Sequence, residues 1–208
     1  MILATGNRHK LEEFQQILEP IGWNVLSLGA LIPGFPEPEE IATDFLGNSR
    51  IKALSAQTLL PPGHAVVADD SGLEVPLLNG EPGVFSARFA QKAGHGDGDA
   101  ANRSELIRRL KLAGLTEGEL TPAAFVCAVT FHSPERELQV EARCFGLVGL
   151  KEQGEGGFGY DSLFFPLLAN DTASPLSFAQ MPSEAKHALS HRGKALEKLS
   201  EALMSDQT

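Results

Sequence analysis

Apolar positions change period within the first twenty residues of the chain. Ile2 to Ala4 form a short continuous run, the pattern of a buried strand. Leu11, Phe14, Ile17 and Leu18 then recur at helical spacing, with Glu12, Glu13, Gln15 and Gln16 between them on the wet side. The polar link Thr5-Gly6-Asn7-Arg8-His9-Lys10 is therefore a predicted turn that opens a helix. Asn24 to Leu28 predicts a second strand, and Pro33, Pro36 and Pro38 stiffen the connection to Glu39-Glu40. From Asp44 to about Leu59, the apolar Phe45, Ile51, Ala53 and Leu54 predict a helix carrying Arg50 and Lys52, ended by Pro61-Pro62-Gly63. Ala65 to Ala68 read as a buried strand that Asp69-Asp70-Ser71-Gly72 stops. This β-α-β-α-β order predicts an α/β fold.

Further on, Leu73 to Leu78 is a short apolar run and Asn79-Gly80 a strong turn signal. Gly94-His95-Gly96-Asp97-Gly98-Asp99 matches no calcium-loop spacing and predicts a flexible loop. Ala100 to Leu112 predicts an amphipathic helix that closes at Gly114. Phe125 to His132 and Leu138 to Leu150 predict two long strands joined at Ser133-Pro134-Glu135-Arg136, which makes the second half β-rich. Gly154 to Asp161 gathers glycines around two aromatics and an acid, where a backbone can approach a ligand closely. A helical pattern from Ser183 breaks near Ser190, and His191-Arg192-Gly193-Lys194 opens a last helix carried by Ala195, Leu196, Leu199 and Leu203. No repeat or low-complexity tract interrupts the chain.

Composition places the chain among ordinary globular proteins, with 42% hydrophobic and 21% charged residues. Its 208 residues suit one domain, 1–208, with room for two lobes. A net charge of −10 opposes binding to a nucleic-acid polymer or an anionic membrane, because both need clustered cations. A small phosphorylated ligand needs only a few local cations and can arrive partly neutralised by Mg²⁺. Cys127 and Cys144 lie in strand-like runs without C-x-x-C spacing, so buried free thiols in a reducing cytoplasm are expected. No apolar run approaches the roughly 20 residues of a spanning helix, and the start lacks the form of an export signal.

Two stretches carry candidate chemistry. Asp69 and Asp70 follow a core strand, and adjacent strand residues point to opposite faces, so one of the two faces the chemistry. The alternative is a polar turn after a core strand. Thr5 to Lys10 joins a strand to a helix N-terminus, where free backbone N–H groups and the positive dipole end suit a phosphate and Lys10 adds a full charge. An ordinary βα turn has the same form.

Taken together, Thr5-Gly6-Asn7 with Lys10, Asn48 with Lys52-Ala53, Ala68-Asp69-Asp70-Ser71-Gly72, Pro82-Gly83 with Ser86-Ala87-Arg88, Gly156-Gly157-Phe158-Gly159-Tyr160-Asp161, and Ser190-His191-Arg192-Gly193 stand in a familiar order. In that order, over nearly the whole chain, the sequence resembles the inosine/xanthosine triphosphatase family, pyrophosphatases of aberrant purine nucleoside triphosphates. The resemblance implies Mg²⁺-dependent hydrolysis of ITP, dITP and XTP to the monophosphate and pyrophosphate, which cleanses the nucleotide pool. It also implies an elongated, two-lobed, mixed α/β sheet protein with a central nucleotide-binding cleft, usually a homodimer. Carried over residue by residue, Thr5, Gly6, Asn7, Arg8, His9, Lys10, Lys52 and Ser71 join the substrate-binding set, with Lys10 and Lys52 on triphosphate oxygens. Glu40 and Asp70 bind Mg²⁺. Asp70 orients and deprotonates the attacking water while Asp69 tunes its neighbour. Phe158, Gly159, Tyr160, Asp161, Lys186, His191 and Arg192 receive the base: Phe158 or Tyr160 stacks on it, and Arg192, His191 or Lys186 donates to the 6-oxo group that adenine lacks.

One departure is clear. Where the family commonly reads Thr-Phe-x-Glu-Asn-Ala, this chain has Asp44-Phe45-Leu46-Gly47-Asn48-Ser49, so a carboxylate is missing at Gly47 and Asp44 is the nearest substitute. Two rival functions are a phosphoribosyltransferase-like enzyme and a catalytically silent nucleotide sensor. The first needs a glycine- and threonine-rich phosphate loop where Leu73-Glu74-Val75 stands, and the second would lack the acids Glu40, Asp69 and Asp70, all of which are present.

Overall fold

The computed structural model describes residues 1–205, apart from the side chain of His9. In chain order the elements are β1 (Ile2–Leu3), α1 (Arg8–Leu18), β2 (Leu26–Ser27), α2 (Leu28–Leu31), α3 (Phe45–Thr58), β3 (Val66–Glu74), α4 (Phe89–Lys92) and α5 (Asp99–Leu112). They continue with β4 (Leu120–His132), β5 (Glu137–Gly149), β6 (Phe164–Pro166), α6 (Ser183–Leu189) and α7 (His191–Ser205). The strands form one mixed sheet of order β2-β1-β3-β4-β5-β6, in which β1 is parallel to both β2 and β3 while β6 is antiparallel to β5. The mixed α/β class expected from the sequence holds. None of the described helices is long and apolar enough to cross a membrane.

The chain divides into two compact units: Met1–Asp70 with Cys127–Ala142 and the chain from Arg192 onward, and Ser71–Val126 with Arg143–His191. In the first unit the strand period of two sorts β3 onto two cores. Val67 packs with Phe14 and Leu18 of α1 and with Ala195, Leu196 and Leu199 of α7. Val66 and Ala68, one residue either side, pack with Ala53 and Ala56 of α3. The second unit has its own core of Leu73, Leu106, Leu110, Phe125, Tyr160, Phe164 and Phe178. There Phe125 lies 4.6 Å from Phe164, and Phe164 lies 5.0 Å from Phe178, between ring centres. With α4, α5 and α6 it is more mixed than the long hairpin implies.

The expected stop after Ala68 is not there. The strand β3 runs nine residues, from Val66 to Glu74, so Asp69 and Asp70 lie inside it. Acidic residues disfavour strands in isolation, and here each finds a cation. Likewise β4 begins at Leu120, five residues before Phe125, on an alternation of exposed Leu120, buried Thr121, exposed Pro122 and buried Ala123 that small residues disguise. Both cysteines are buried thiols outside any disulfide, as expected.

Candidate active site

The two faces of β3 give its two acids different neighbours. Asp69 shares the parity of Val67, so it meets α1 and α7: Lys10 Nζ donates to Oδ1 at 2.9 Å and Arg192 Nε to Oδ2 at 3.4 Å. Asp70 shares the parity of Val66 and Ala68 and meets α3, where Lys52 Nζ donates to Oδ1 at 2.7 Å. Glu40, from the proline-stiffened connection, takes the same ammonium at 2.6 Å. Lys52 therefore gathers two carboxylates on one nitrogen.

Electrostatics separates the pair. Burial alone would raise the Asp69 carboxyl, but Lys10 and Arg192 outweigh it and hold it well below the usual carboxylate range. Burial pushes the Asp70 carboxyl up, Lys52 offsets this only in part, and the charge on Glu40 adds to the rise. Lys52 loses by burial yet is raised on balance by Asp70 and Glu40. Asp70 Oδ2 and Nδ2 of Asn48 on α3 are both buried without a hydrogen bond of good geometry, although the Asn48 amide is near enough to Asp70 to offset its rise slightly. Unpaired buried polar atoms are rare enough to need an explanation. Cys127, beneath the same cluster, has its thiol pushed up to about 12 by burial and by Asp69, so it is an inert core residue.

A cavity of about 290 Å³ opens in this unit, lined by Thr5, Gly6, Asn7, Lys10, Pro36, Glu37, Glu40, Lys52 and Asp69. Its floor is the turn into α1. Thr5 Oγ1 accepts from Asn7 N at 3.1 Å, and Asn7 Oδ1 accepts from Lys10 N at 3.3 Å, an Asn cap on the helix start. A second hollow, of about 390 Å³ in the second unit, is lined by Leu77, Ala113, Gly114, Leu115, Glu119, Leu120 and Thr121, with no lysine or arginine among these described residues.

The departure at Gly47 has a local cause. A Cβ there would lie 2.6 Å from the Cβ of Ala42, so the residue must be small where the connection returns against the first turn of α3. Asn48 Oδ1 accepts from Ala42 N at 3.0 Å and fixes the same approach. Asp44, expected as a substitute acid, instead caps α3, its Oδ1 accepting from Gly47 N at 2.6 Å. Its carboxylate serves the helix start.

In the second unit the glycine-rich stretch makes a tight turn. Asp161 Oδ2 accepts from Phe158 N at 2.8 Å and from Lys186 Nζ at 2.6 Å. Gly157, at φ +73°, has no room for a Cβ against that same carboxylate oxygen. Lys186 Nζ lies 4.8 Å from the Phe158 ring centre. His191 stacks on Phe125 at 4.9 Å, with one face of its ring covered.

The expected residues thus fall into groups. Thr5, Gly6, Asn7, Lys10, Glu40, Lys52, Asp69 and Asp70 come together in the first unit; Phe158, Gly159, Tyr160, Asp161, Lys186 and His191 belong to the second. Three placements differ from expectation. Arg192, expected among the base donors, is 3% exposed and lies with the acids of the first unit, its Nη1 on Glu13 at 2.6 Å. Tyr160, one of two candidates for stacking, is 3% exposed and donates its hydroxyl to the Ser86 carbonyl at 2.8 Å, whereas Phe158 is 51% exposed. Arg8 points to solvent and pairs with Glu12 at 3.0 Å. Ser71 is half-buried on β3, and the His9 side chain lies outside the described residues. Glu13 escaped the sequence reading because it sits at a position of α1 that looks wet, and its partner is 179 residues away.

The Ham1 family model matches residues 1–202. A dITP/XTP pyrophosphatase of Desulforamulus reducens is 41% identical over 204 residues, which cover 98% of this chain and 94% of that protein. One of Haemophilus influenzae is 38% identical over 206 residues, covering 98% of each. Among solved structures, a HAM1 protein from Coxiella burnetii superposes with a TM-score of 0.81 at 32% identity, covering 98% of both chains. The nucleoside-triphosphatase / dITP/XTP pyrophosphatase of Mycobacterium abscessus does so with 0.72 at 37% identity, covering 95% of this chain and 97% of that one.

Proposed function

The chain belongs to the Ham1 family, and we propose that it is a dITP/XTP pyrophosphatase that cleaves ITP, dITP and XTP to the monophosphate and pyrophosphate. The full-length likeness to dITP/XTP pyrophosphatases carries the proposal. The acids and cations of the first unit supply its chemistry. A nucleoside triphosphate carries about four negative charges, so its site needs backbone donors, cations and a divalent ion. The N-terminal turn, Lys10 and Lys52 provide the first two.

The residues also fit Mg²⁺. Asp70 Oδ2 is a buried carboxylate oxygen without a partner, and Glu40 shares the Lys52 ammonium with Asp70. Among the described residues no cluster of three or more His, Cys, Asp or Glu could hold a metal alone. Two carboxylates would leave the other positions to water and phosphate, as Mg²⁺ prefers. When bound, the ion neutralises charge on the phosphate oxygens.

In the proposed reaction Asp70 accepts a proton from a water molecule, whose oxygen forms the new bond to the α-phosphorus. The α–β bridge bond breaks and its electron pair leaves on pyrophosphate. A carboxyl raised by burial suits a base that must take up a proton. Asp69, kept ionised by Lys10 and Arg192, orients those cations. The exposed Phe158 ring stacks on the purine, while Lys186 and His191 supply donors for its 6-oxo group.

The family model runs through both units, and we read 1–208 as one functional domain that acts as a homodimer in a reducing cytoplasm, with sedimentation as the test of the dimer. The activity is tested by incubating the protein with Mg²⁺ and a panel of nucleoside triphosphates, assaying pyrophosphate separately from orthophosphate. Pyrophosphate from ITP and XTP, with little from ATP, is the expected result. Orthophosphate alone, or no product, would overturn the assignment.

A further inference from the structure

We propose that Asp99 and Arg103 of α5 are positioning residues for the purine base, acting through the backbone N–H and C=O of one glycine in the loop that carries Phe158. The proposal deepens the pyrophosphatase reading and rests on it. Gly159 N–H donates to Asp99 Oδ2 at 2.7 Å, and the Gly159 carbonyl accepts from Arg103 Nη1 at 3.1 Å. Both polar groups of one glycine are therefore held by side chains four residues apart, a spacing that puts them on one face of a helix. Arg103 is itself fixed: its Nε donates to Glu152 Oε2 at 2.7 Å, and Ser162 Oγ donates to that same oxygen at 2.9 Å.

These hydrogen bonds matter because Gly159 has no side chain of its own to anchor this backbone. Gly159 has φ +58°, and nothing lies within 4 Å of where its Cβ would be. A glycine so placed has many alternative conformations, and the two α5 side chains select one. On one side of it Phe158 is the exposed ring, its N–H held by Asp161 and its face approached by Lys186. On the other side Tyr160 is locked into the core through Ser86. The direction of the Phe158 ring follows from the backbone between those points, which α5 straps at its middle. Asp99 is available for this because Gly98, with no side chain, occupies the cap position of α5. The Gly94 to Gly98 segment, predicted as a flexible loop, turns the chain into that strap.

The test uses the full-length protein with Asp99→Ala, Arg103→Ala and the conservative Asp99→Asn. The two alanine variants are expected to raise KM for ITP about three- to tenfold, the worth of one net hydrogen bond, with kcat held within about twofold. Inhibition by imidodiphosphate, a probe of the phosphate end alone, should be unchanged. Amide hydrogens of residues 157–161 should exchange faster, and Asp99→Asn, which keeps an acceptor oxygen, should restore the parent KM. An unchanged KM, unchanged exchange, or an imidodiphosphate Ki rising in step with KM would overturn the strap. A parent that releases no pyrophosphate from ITP would remove the activity and the strap's purpose together, whereas an active parent with unaltered variants would remove the strap alone.

Discussion

Asp70→Asn should abolish most turnover while leaving the metal-free protein at least as stable as the parent at neutral pH. The substitution preserves shape and one carbonyl oxygen for Lys52 but removes the charge. Losing a positioned catalytic base costs about 10² to 10⁴ in rate, or about 2.7 to 5.4 kcal/mol in the barrier. Stability runs the other way. Asp70 is buried, with Oδ2 unpaired, and its carboxyl is raised above its ordinary value even after the help of Lys52. A carboxyl raised on folding contributes stability that is full below its unfolded pKa near 3.8 and is lost as pH rises through the folded pKa. Above that window the ionised side chain opposes folding, and asparagine removes the opposition. Lys52 retains Glu40 at 2.6 Å, so it is not stranded. The assay pairs pyrophosphate release from ITP with urea unfolding in EDTA at pH 5 to 8. Turnover near the parent rate would show that Asp70 is not the base. A metal-free variant clearly less stable than the parent at pH 7 would show that the buried charge is not the liability argued here.

Glu40→Gln should raise the Mg²⁺ concentration needed for half-maximal activity, with the fold intact; a magnesium titration identical to the parent's would exclude Glu40 as a ligand. Arg192→Met takes the buried partner from Asp69 and Glu13 and should destabilise the protein by about 3–5 kcal/mol in urea unfolding. A loss below about 1 kcal/mol, the level of a surface ion pair, would mean that the triad is not a buried network. In the second unit, Arg108 holds the buried Glu105 carboxyl down at about 2, with His95 assisting. Its contribution is present above pH 4.5 and is lost as pH falls toward 2. Glu105→Gln should therefore cost about 1.5–3 kcal/mol at pH 7, the worth of hydrogen bonds to a charged group, and flatten the acid limb of the stability curve. An unaltered acid limb would place the acid sensitivity elsewhere.

Local signals were the ones legible in sequence. Leu59 follows the last turn of α3, as Pro61-Pro62-Gly63 indicated, and the break at Ser190 between α6 and α7 was visible in the pattern. The continuation of β3 through two acids was not, because the cations that permit it come from positions 10, 52 and 192. Local propensity cannot count partners so distant in the chain. Phe158 and Tyr160 likewise look alike from the sequence. Only the Ser86 carbonyl and the surrounding core decide that one is buried and the other exposed. Arg192 reads as a polar helix start because nothing in its neighbourhood announces Glu13.

The continuation of the strand also explains how two adjacent and identical residues can have different surroundings. Had the chain turned at Asp69, both carboxylates could have faced one solvent and shared one environment. Held in β3, they are sent to opposite faces, one toward α1 and α7, the other toward α3. The first face brings two cations to one carboxylate, and the second brings one cation to two carboxylates, since Glu40 competes for Lys52. Asp69 is consequently kept ionised, and Asp70 is left with an unpaired oxygen and a raised affinity for a proton or a hard cation. When two neighbouring acids are pushed apart in this way, the raised one is suited to exchange protons and the lowered one to fix charge. The proposed role of Asp70 as base rests on that asymmetry, which the two-residue period of the strand creates before any ligand binds.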